Sequence, residues 1–264
     1  MSNYGEKGRA EGLKFEDLVE QYYGFISTVD LKEKIYGIHG KKTTSKTDKI
    51  ISGDRRVSIK NPKAKGTSIQ IQVNPFSSFV CKFSDIPAWF ELFFGCSENE
   101  KFIKMCQLHG IDYGSLSLEE KRRNRLDIFS IGLEKENELV DWFYTNRVAV
   151  AKMAFQEGFH LDSEILRKPE EIIWASKKND LQSIKQIMIK DLLSVFNKIT
   201  KNEICFRKKN GKGAKTHSGT VLQIGPLTLQ MKGSGEGEAY HSMQFNASLT
   251  DIENYFNLYS SGVI

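Results

Sequence analysis

The sequence lacks the segments that would commit it to a membrane or to secretion. Its opening residues, MSNYGEKGRAEG, are polar and carry no apolar stretch of the secretory kind. No uninterrupted apolar run approaches the length that spans a bilayer; the densest, IPAWFELFFGC, already contains Glu91. A soluble, cytoplasmic protein with no membrane partner is expected. Cysteine is scarce as well. Cys81, Cys96, Cys106 and Cys205 form no C-x-x-C pair, and their spacing makes no disulfide framework. Cys106 and His109 form a C-x-x-H half-site, but no second half follows at zinc-finger spacing, so buried free thiols are expected instead of zinc. Internal repeats and ATPase motifs are also missing.

What is present suits an ordinary folded protein. A hydrophobic fraction of 39%, with 17 Phe and 9 Tyr among 264 residues, supplies one substantial core or two small ones. The net charge of +5 is unevenly spread. Residues 31–65 hold 11 Lys and Arg against Glu33, Asp48 and Asp54, a local balance of +8. Residues 201–217 hold six Lys and Arg against Glu203, a balance of +5. The two stretches together carry +13, which leaves −8 on the rest of the chain. Segregation of this kind suits a phosphate-binding surface; solvated basic loops are the plain alternative.

Periodicity predicts a mixed chain. GLKFEDLVEQYYGF has a helical apolar face at Leu13, Leu18, Val19, Tyr22 and Phe25. Short strand-like segments follow, KIYGI, DKIIS, RRVSIKN and SIQIQVN, separated by GKKTTS, SGD and PKAKG. The middle, about 84–200, reads as helical: SDIPAWFELFFG, NEKFIKMCQLHG, ENELVDWFYTNRVAVAKMAFQEG and DLQSIKQIMIKDLLSVFNKI. Strands return over about 203–248 in EICFRKK, GTVLQIG, LTLQMKG and HSMQFNAS, followed by a short helix from Thr250. The expected class is α/β (α+β), a mixed central sheet flanked by helices, in a single domain over residues 1–264.

The chemistry-bearing residues sit in the early strands. Asp48 opens DKII, and Lys60 closes RVSIK across a short turn containing Gly53 and Asp54, so a hairpin can bring both to one end of a sheet. A carboxylate that holds a divalent metal against a phosphate, with a lysine that orients water and balances developing charge, is what phosphodiester hydrolysis needs. An Asp followed on the next strand by x-x-Lys is the PD-(D/E)XK arrangement. On its own the pattern also fits a solubilising hairpin.

The run SKTDKIISGDRRVSIKNPKAKGTSIQIQV resembles the active-site region of small type II restriction endonucleases, especially those cutting GCGC. GLKFEDLVEQ, ENELVDWFYTNRVAVAKMAFQEG and GPLTLQMKGSGEGEAYHSMQFN resemble the same enzymes, in the same order. The resemblance implies a Mg2+-dependent type II site-specific deoxyribonuclease, with Mn2+ able to substitute. It makes Asp48 a metal ligand and Lys60 the catalytic lysine. Ser58 stands at the intermediate position, where Glu, Asp or Gln is usual. Either a carboxylate comes from elsewhere, for which Glu16 on the opening helix is the best placed, or the Ile59 main-chain carbonyl does more of the work. An exposed helix residue is the competing reading of Glu16.

The partner implied is double-stranded DNA at a short G·C-rich site. Gln70, Gln72, Gln230, Lys232, Ser234, Glu236, His241, Ser242 and Gln244 offer donors and acceptors suited to base edges. Lys63, Lys65, Lys208, Lys209 and Lys215 suit phosphates. A homodimer, a heteromer with a related subunit and a cognate DNA methyltransferase as genetic partner are further implications. Two other readings stay open: a non-catalytic DNA-binding subunit, because of Ser58, and a repair or junction nuclease of the same fold.

Overall fold

The computed structural model describes residues 4–23, 26–27, 49–51, 55–61, 68–87, 90, 104, 106–108, 110–112, 114–116, 133–157, 168–175, 177–208, 220–232 and 242–260. The chain divides into two compact units. The first comprises Met1–Gln70, Ala151–Val195 and Ser248–Ile264; the second comprises Ile71–Val150 and Phe196–Ala247. The composition is the expected mixture of α and β, with two sheets flanked by helices.

The first unit is built on a five-stranded sheet. Its strands are β1 (Ile26–Ser27), β2 (Lys49–Ile51), β3 (Arg55–Lys60), β5 (Glu171–Ala175) and β6 (Ile184–Met188), in the order β1-β2-β3-β5-β6. All neighbours are antiparallel except β3 and β5, which run parallel. A parallel pair needs a long crossover, and more than a hundred residues of chain intervene here. Strand β5, EIIWA, is buried along its whole length, as a strand paired on both sides and covered on both faces must be.

Helix α1 (Tyr4–Tyr23) lays Phe15 and Val19, one turn apart, against Val57, Ile59, Ile173 and Ala175. Each such fully buried side chain contributes roughly 1.5–3 kcal/mol. The β3–β5 register is fastened at its start. Arg56 bonds Glu170 at 2.8 Å, its Nε donates to the Lys168 carbonyl at 2.8 Å, and the Glu170 N–H donates to the Arg56 carbonyl at 2.7 Å.

The segment DLQSIKQIMIKDLLSVFNKI corrects the helical expectation for 84–200. It starts as a 3-10 turn, Leu181–Ser183, capped by the Asp180 side chain on the Gln182 N–H at 3.0 Å. It then runs as β6 and becomes helix α4 (Ile189–Lys198) only afterwards. Ile184, Ile187 and Met188 follow the helical i, i+3, i+4 spacing, and antiparallel pairing of Ile184–Met188 with β5 overrides it. Strand β5 lies within the same stretch. The stretch ENELVDWFYTNRVAVAKMAFQEG is helix α3 (Leu133–Lys152), closed by a π-helical turn at Met153–Glu157.

The second sheet has the order β4-β10-β9-β8-β7, from β4 (Ser68–Pro75), β7 (Ile204–Lys208), β8 (Thr220–Ile224), β9 (Leu227–Lys232) and β10 (Ser242–Ser248). Strands β7 to β10 fall within the region expected to be strands. Gly225 joins β8 to β9 with a φ of 54°, a left-handed value that glycine takes without steric cost. Around Phe79 of α2 (Phe76–Lys82) stand Phe83, Phe90 and Phe245, with ring centroids 4.9, 5.2 and 6.1 Å away. Trp142 and Phe143 of α3 complete this aromatic core. A last helix, α5 (Leu249–Ser260), follows β10. Among the described cysteines all are free, but only Cys106 is buried; Cys81 and Cys205 are exposed, contrary to the expectation for thiols.

Candidate functional site

Strand β3 places Ser58 and Lys60 on one face of the first sheet and Ile59 on the other, where it packs with Phe15 and Val19. Ser58 is only 1% exposed. Lys60 is half-buried, and its Nζ donates to the Ile59 carbonyl at 3.3 Å. In the parallel pairing Ser58 stands opposite Ile172 and Lys60 opposite Trp174. The next residue, Asn61, is tied to Asn179 by two hydrogen bonds, so the chain leaving Lys60 is held. Asn179 has a φ of 58°, a left-handed conformation asparagine tolerates better than most residues.

Glu16 is half-buried on α1, directly after Phe15. The helix that carries it therefore packs on the Ile59 face of the strand that carries Lys60. Asp48 lies outside the described residues, as does Asp54. Lys49, where β2 begins, pairs with Val57, one residue before Ser58.

The donors of this strand are oxygens: the Ser58 hydroxyl and the Ile59 carbonyl. That chemistry suits a hard cation such as Mg2+, which takes one or two carboxylates and keeps several waters. Among the described residues no three His, Cys, Asp or Glu side chains converge.

Glu171 is the carboxylate that sequence reasoning missed. It opens β5 opposite Val57 and is 3% exposed. Its Oε2 is buried with no hydrogen-bond partner; Arg55 approaches it only to 3.7 Å. Burial pushes its pKa above the usual carboxylate value, against the opposing pull of Arg55. The available signal was a Glu at the head of the apolar run EIIWA, a run whose character predicts burial.

In the second unit Gln230 and Gln244 stand opposite each other on β9 and β10, as do Lys232 and Ser242. Gln230 is half-buried. Gln244 corrects the expectation of a base-reading amide: it is 5% exposed, and its Nε2 donates to Asn246 Oδ1. The two amides satisfy each other along one strand face. Gln70 is exposed on β4, and Gln72 follows it two residues later on the same strand. Lys208 ends β7 opposite Thr220. Lys63, Lys65, Lys209, Lys215, Ser234, Glu236 and His241 lie outside the described residues. Among the described residues no helix is long and apolar enough to cross a membrane.

No family model matches the chain, and no curated protein matches it either. Among solved structures the chain is similar to the restriction endonuclease MspI in complex with its cognate DNA, at 12% identity and a TM-score of 0.36. The similarity covers 77% of this chain and 64% of that one, so the chain spans less than two thirds of the length of the structure it matches.

Proposed function

We propose that the chain is a Mg2+-dependent DNA endonuclease of the PD-(D/E)XK type, a type II site-specific deoxyribonuclease acting at a short site in double-stranded DNA. The observation that carries this reading is β3 itself. Lys60 ends a strand whose preceding carbonyl it touches, beside a parallel strand, while the helix bearing Glu16 covers the opposite, Ile59 face of that strand. Asp48 and the Ile59 carbonyl would hold the metal, with Glu16 as a second carboxylate in place of the one Ser58 lacks. The metal would supply Lewis-acid polarisation of the scissile phosphate.

Lys60 has two tasks in this scheme. Its ammonium orients the attacking water, and its charge balances the negative charge that grows on the phosphate oxygens. The Ile59 carbonyl, which Lys60 touches, would serve as a main-chain ligand, and the Asn61–Asn179 pair holds the backbone that leaves Lys60.

The basic stretches would meet phosphates through Lys63, Lys65, Lys208, Lys209 and Lys215, while Gln70, Gln72, Gln230, Lys232 and the polar residues after β9 would meet bases. The buried Ser58 favours a second reading, a DNA-binding subunit without full activity, because a hydroxyl is a weak ligand for a hard cation. Incubating plasmid DNA with the purified chain and Mg2+ separates these readings. Discrete fragments support the endonuclease; retained DNA binding without cleavage supports the subunit; structure-dependent nicking points to a repair or junction nuclease.

A further inference from the structure

In the first unit a cleft of about 710 Å³ runs beside β6, the outermost strand of its sheet among the described residues, and one face of α5. That volume lies in the range of small-ligand sites, roughly 300–1,000 Å³. Four successive residues of β6, Lys185 to Met188, line it together with Glu171 and Trp174 of β5 and Arg55 of β3, so residues of both faces of the sheet contribute. Trp174, Ile187, Met188, Ile252 and Phe256 give it apolar and aromatic walls.

Its charges are two cations, Arg55 and Lys185, and three carboxylates, Glu171, Asp191 and Glu253. Lys185 is ion-paired with Glu253. The remaining side chains leave a formal −1, in a chain whose net charge is +5.

Two buried polar atoms belong to residues of this wall and lack a hydrogen-bond partner, Glu171 Oε2 and Trp174 Nε1. Arg55, at 3.7 Å, is too far from Oε2 for a hydrogen bond, and its side chain is 53% exposed. A desolvated carboxylate without a donor is costly, and the stronger the donor it gains, the larger the relief. An ammonium gives a carboxylate a charge-assisted hydrogen bond, shorter and stronger than a neutral donor gives. A ring beside Trp174 and Phe256 gains both apolar burial and aromatic contact.

The geometry points to a binding site for an aryl-alkyl primary amine, with its ammonium directed to Glu171 and its ring held among Trp174, Ile252 and Phe256. Arg55 competes for the same carboxylate. Asp191 adds negative charge from the first turn of α4. Occupancy by a cation favours the ionised form of the Glu171 carboxylate.

Calorimetric titration of the full chain with phenethylamine tests this, beside the isosteric neutral 2-phenylethanol. No DNA is involved, so the outcome is separate from that of the nuclease reading. The amine should bind saturably, and the alcohol on the order of tenfold more weakly, the scale of a missing charge-assisted hydrogen bond. Glu171→Gln should bring the amine down to the level of the alcohol. Arg55→Gln, which removes the competitor, should tighten the amine. Equal affinity for amine and alcohol, or no saturable binding of the amine, would overturn the proposal. If Glu171→Gln does not fold, Arg55→Gln decides: unchanged or weaker amine binding overturns it.

Discussion

Asn61 and Asn179 clasp each other: Asn61 Nδ2 donates to Asn179 Oδ1 at 2.8 Å, and the Asn179 N–H donates back to Asn61 Oδ1 at 3.3 Å. The pair joins the residue after Lys60 to the loop that follows β5. Because the left-handed φ of Asn179 suits glycine equally, Asn179→Gly removes the side-chain bond without straining the backbone. It should cost about 1 kcal/mol of stability, the usual net value of one hydrogen bond. Urea denaturation measures that loss. If the clasp positions Lys60, kcat of DNA cleavage should fall while DNA affinity is kept; an unchanged kcat would leave the clasp a purely structural tie.

Glu171 makes a pH prediction of definite sign. Burial raises its folded pKa above the unfolded value, so the folded protein holds the proton more tightly. This group's contribution to stability is greatest below the unfolded pKa. It declines as pH rises from there through the raised folded value. Glu171→Gln should remove that decline and raise Tm at neutral pH relative to the parent. Tm measured at several pH values for both proteins checks this. A parallel pair of curves would mean that Arg55 already neutralises the cost of burial. Glu136, also raised by burial, tilts both curves in the same sense and cancels in the comparison.

Gln244 and Lys232 should separate stability from recognition. Truncating Gln244 leaves buried Asn246 without its partner, so Gln244→Ala should cost roughly 1–3 kcal/mol of stability. Lys232→Ala should instead weaken cognate binding by about 1–3 kcal/mol and leave scrambled DNA nearly unaffected, the scale of removing one bidentate base pairing. Denaturation and side-by-side affinities at one salt concentration give the two readouts. Equal losses on both DNAs for Lys232→Ala would remove it from the base-reading surface.

Replacing Lys208 and Lys209 by Ala should lower affinity for all DNA sequences alike and flatten the slope of log affinity against log salt, by about one for each phosphate that is no longer neutralised. An unchanged slope would place both side chains in bulk solvent.

Much of the architecture was legible in the sequence where one local signal acted alone. GLKFEDLVEQYYGF does form a helix, but its expected face is corrected: Leu13, Leu18 and Tyr22 are exposed, and the buried pair is Phe15 with Val19. RRVSIKN forms the expected strand. The break between GTVLQIG and LTLQMKG falls at the turn between β8 and β9. The segment IKQIM was not legible, because Ile184, Ile187 and Met188 follow the helical spacing and only pairing with β5, reached through the fold, imposes the strand. The same holds for Glu171 and Gln244. Nothing local distinguishes a polar side chain facing water from one enclosed by strands distant in sequence. Of the candidate site, Ser58, Ile59, Lys60 and Glu16 sit on elements that pack together, whereas the role of Asp48 rests on its place in the motif.

The central claim is that Lys60 acts on the transition state and contributes little to holding DNA. Single-turnover cleavage and equilibrium DNA binding, measured on the same preparations of the parent and of Lys60→Ala, test it most directly. The account predicts a rate about 10²–10³-fold lower, the scale of losing one preorganised charge-stabilising group, with cognate binding retained. Asp48→Ala should behave in the same way. Cleavage by Lys60→Ala near the parental rate would contradict the account and place the active centre elsewhere.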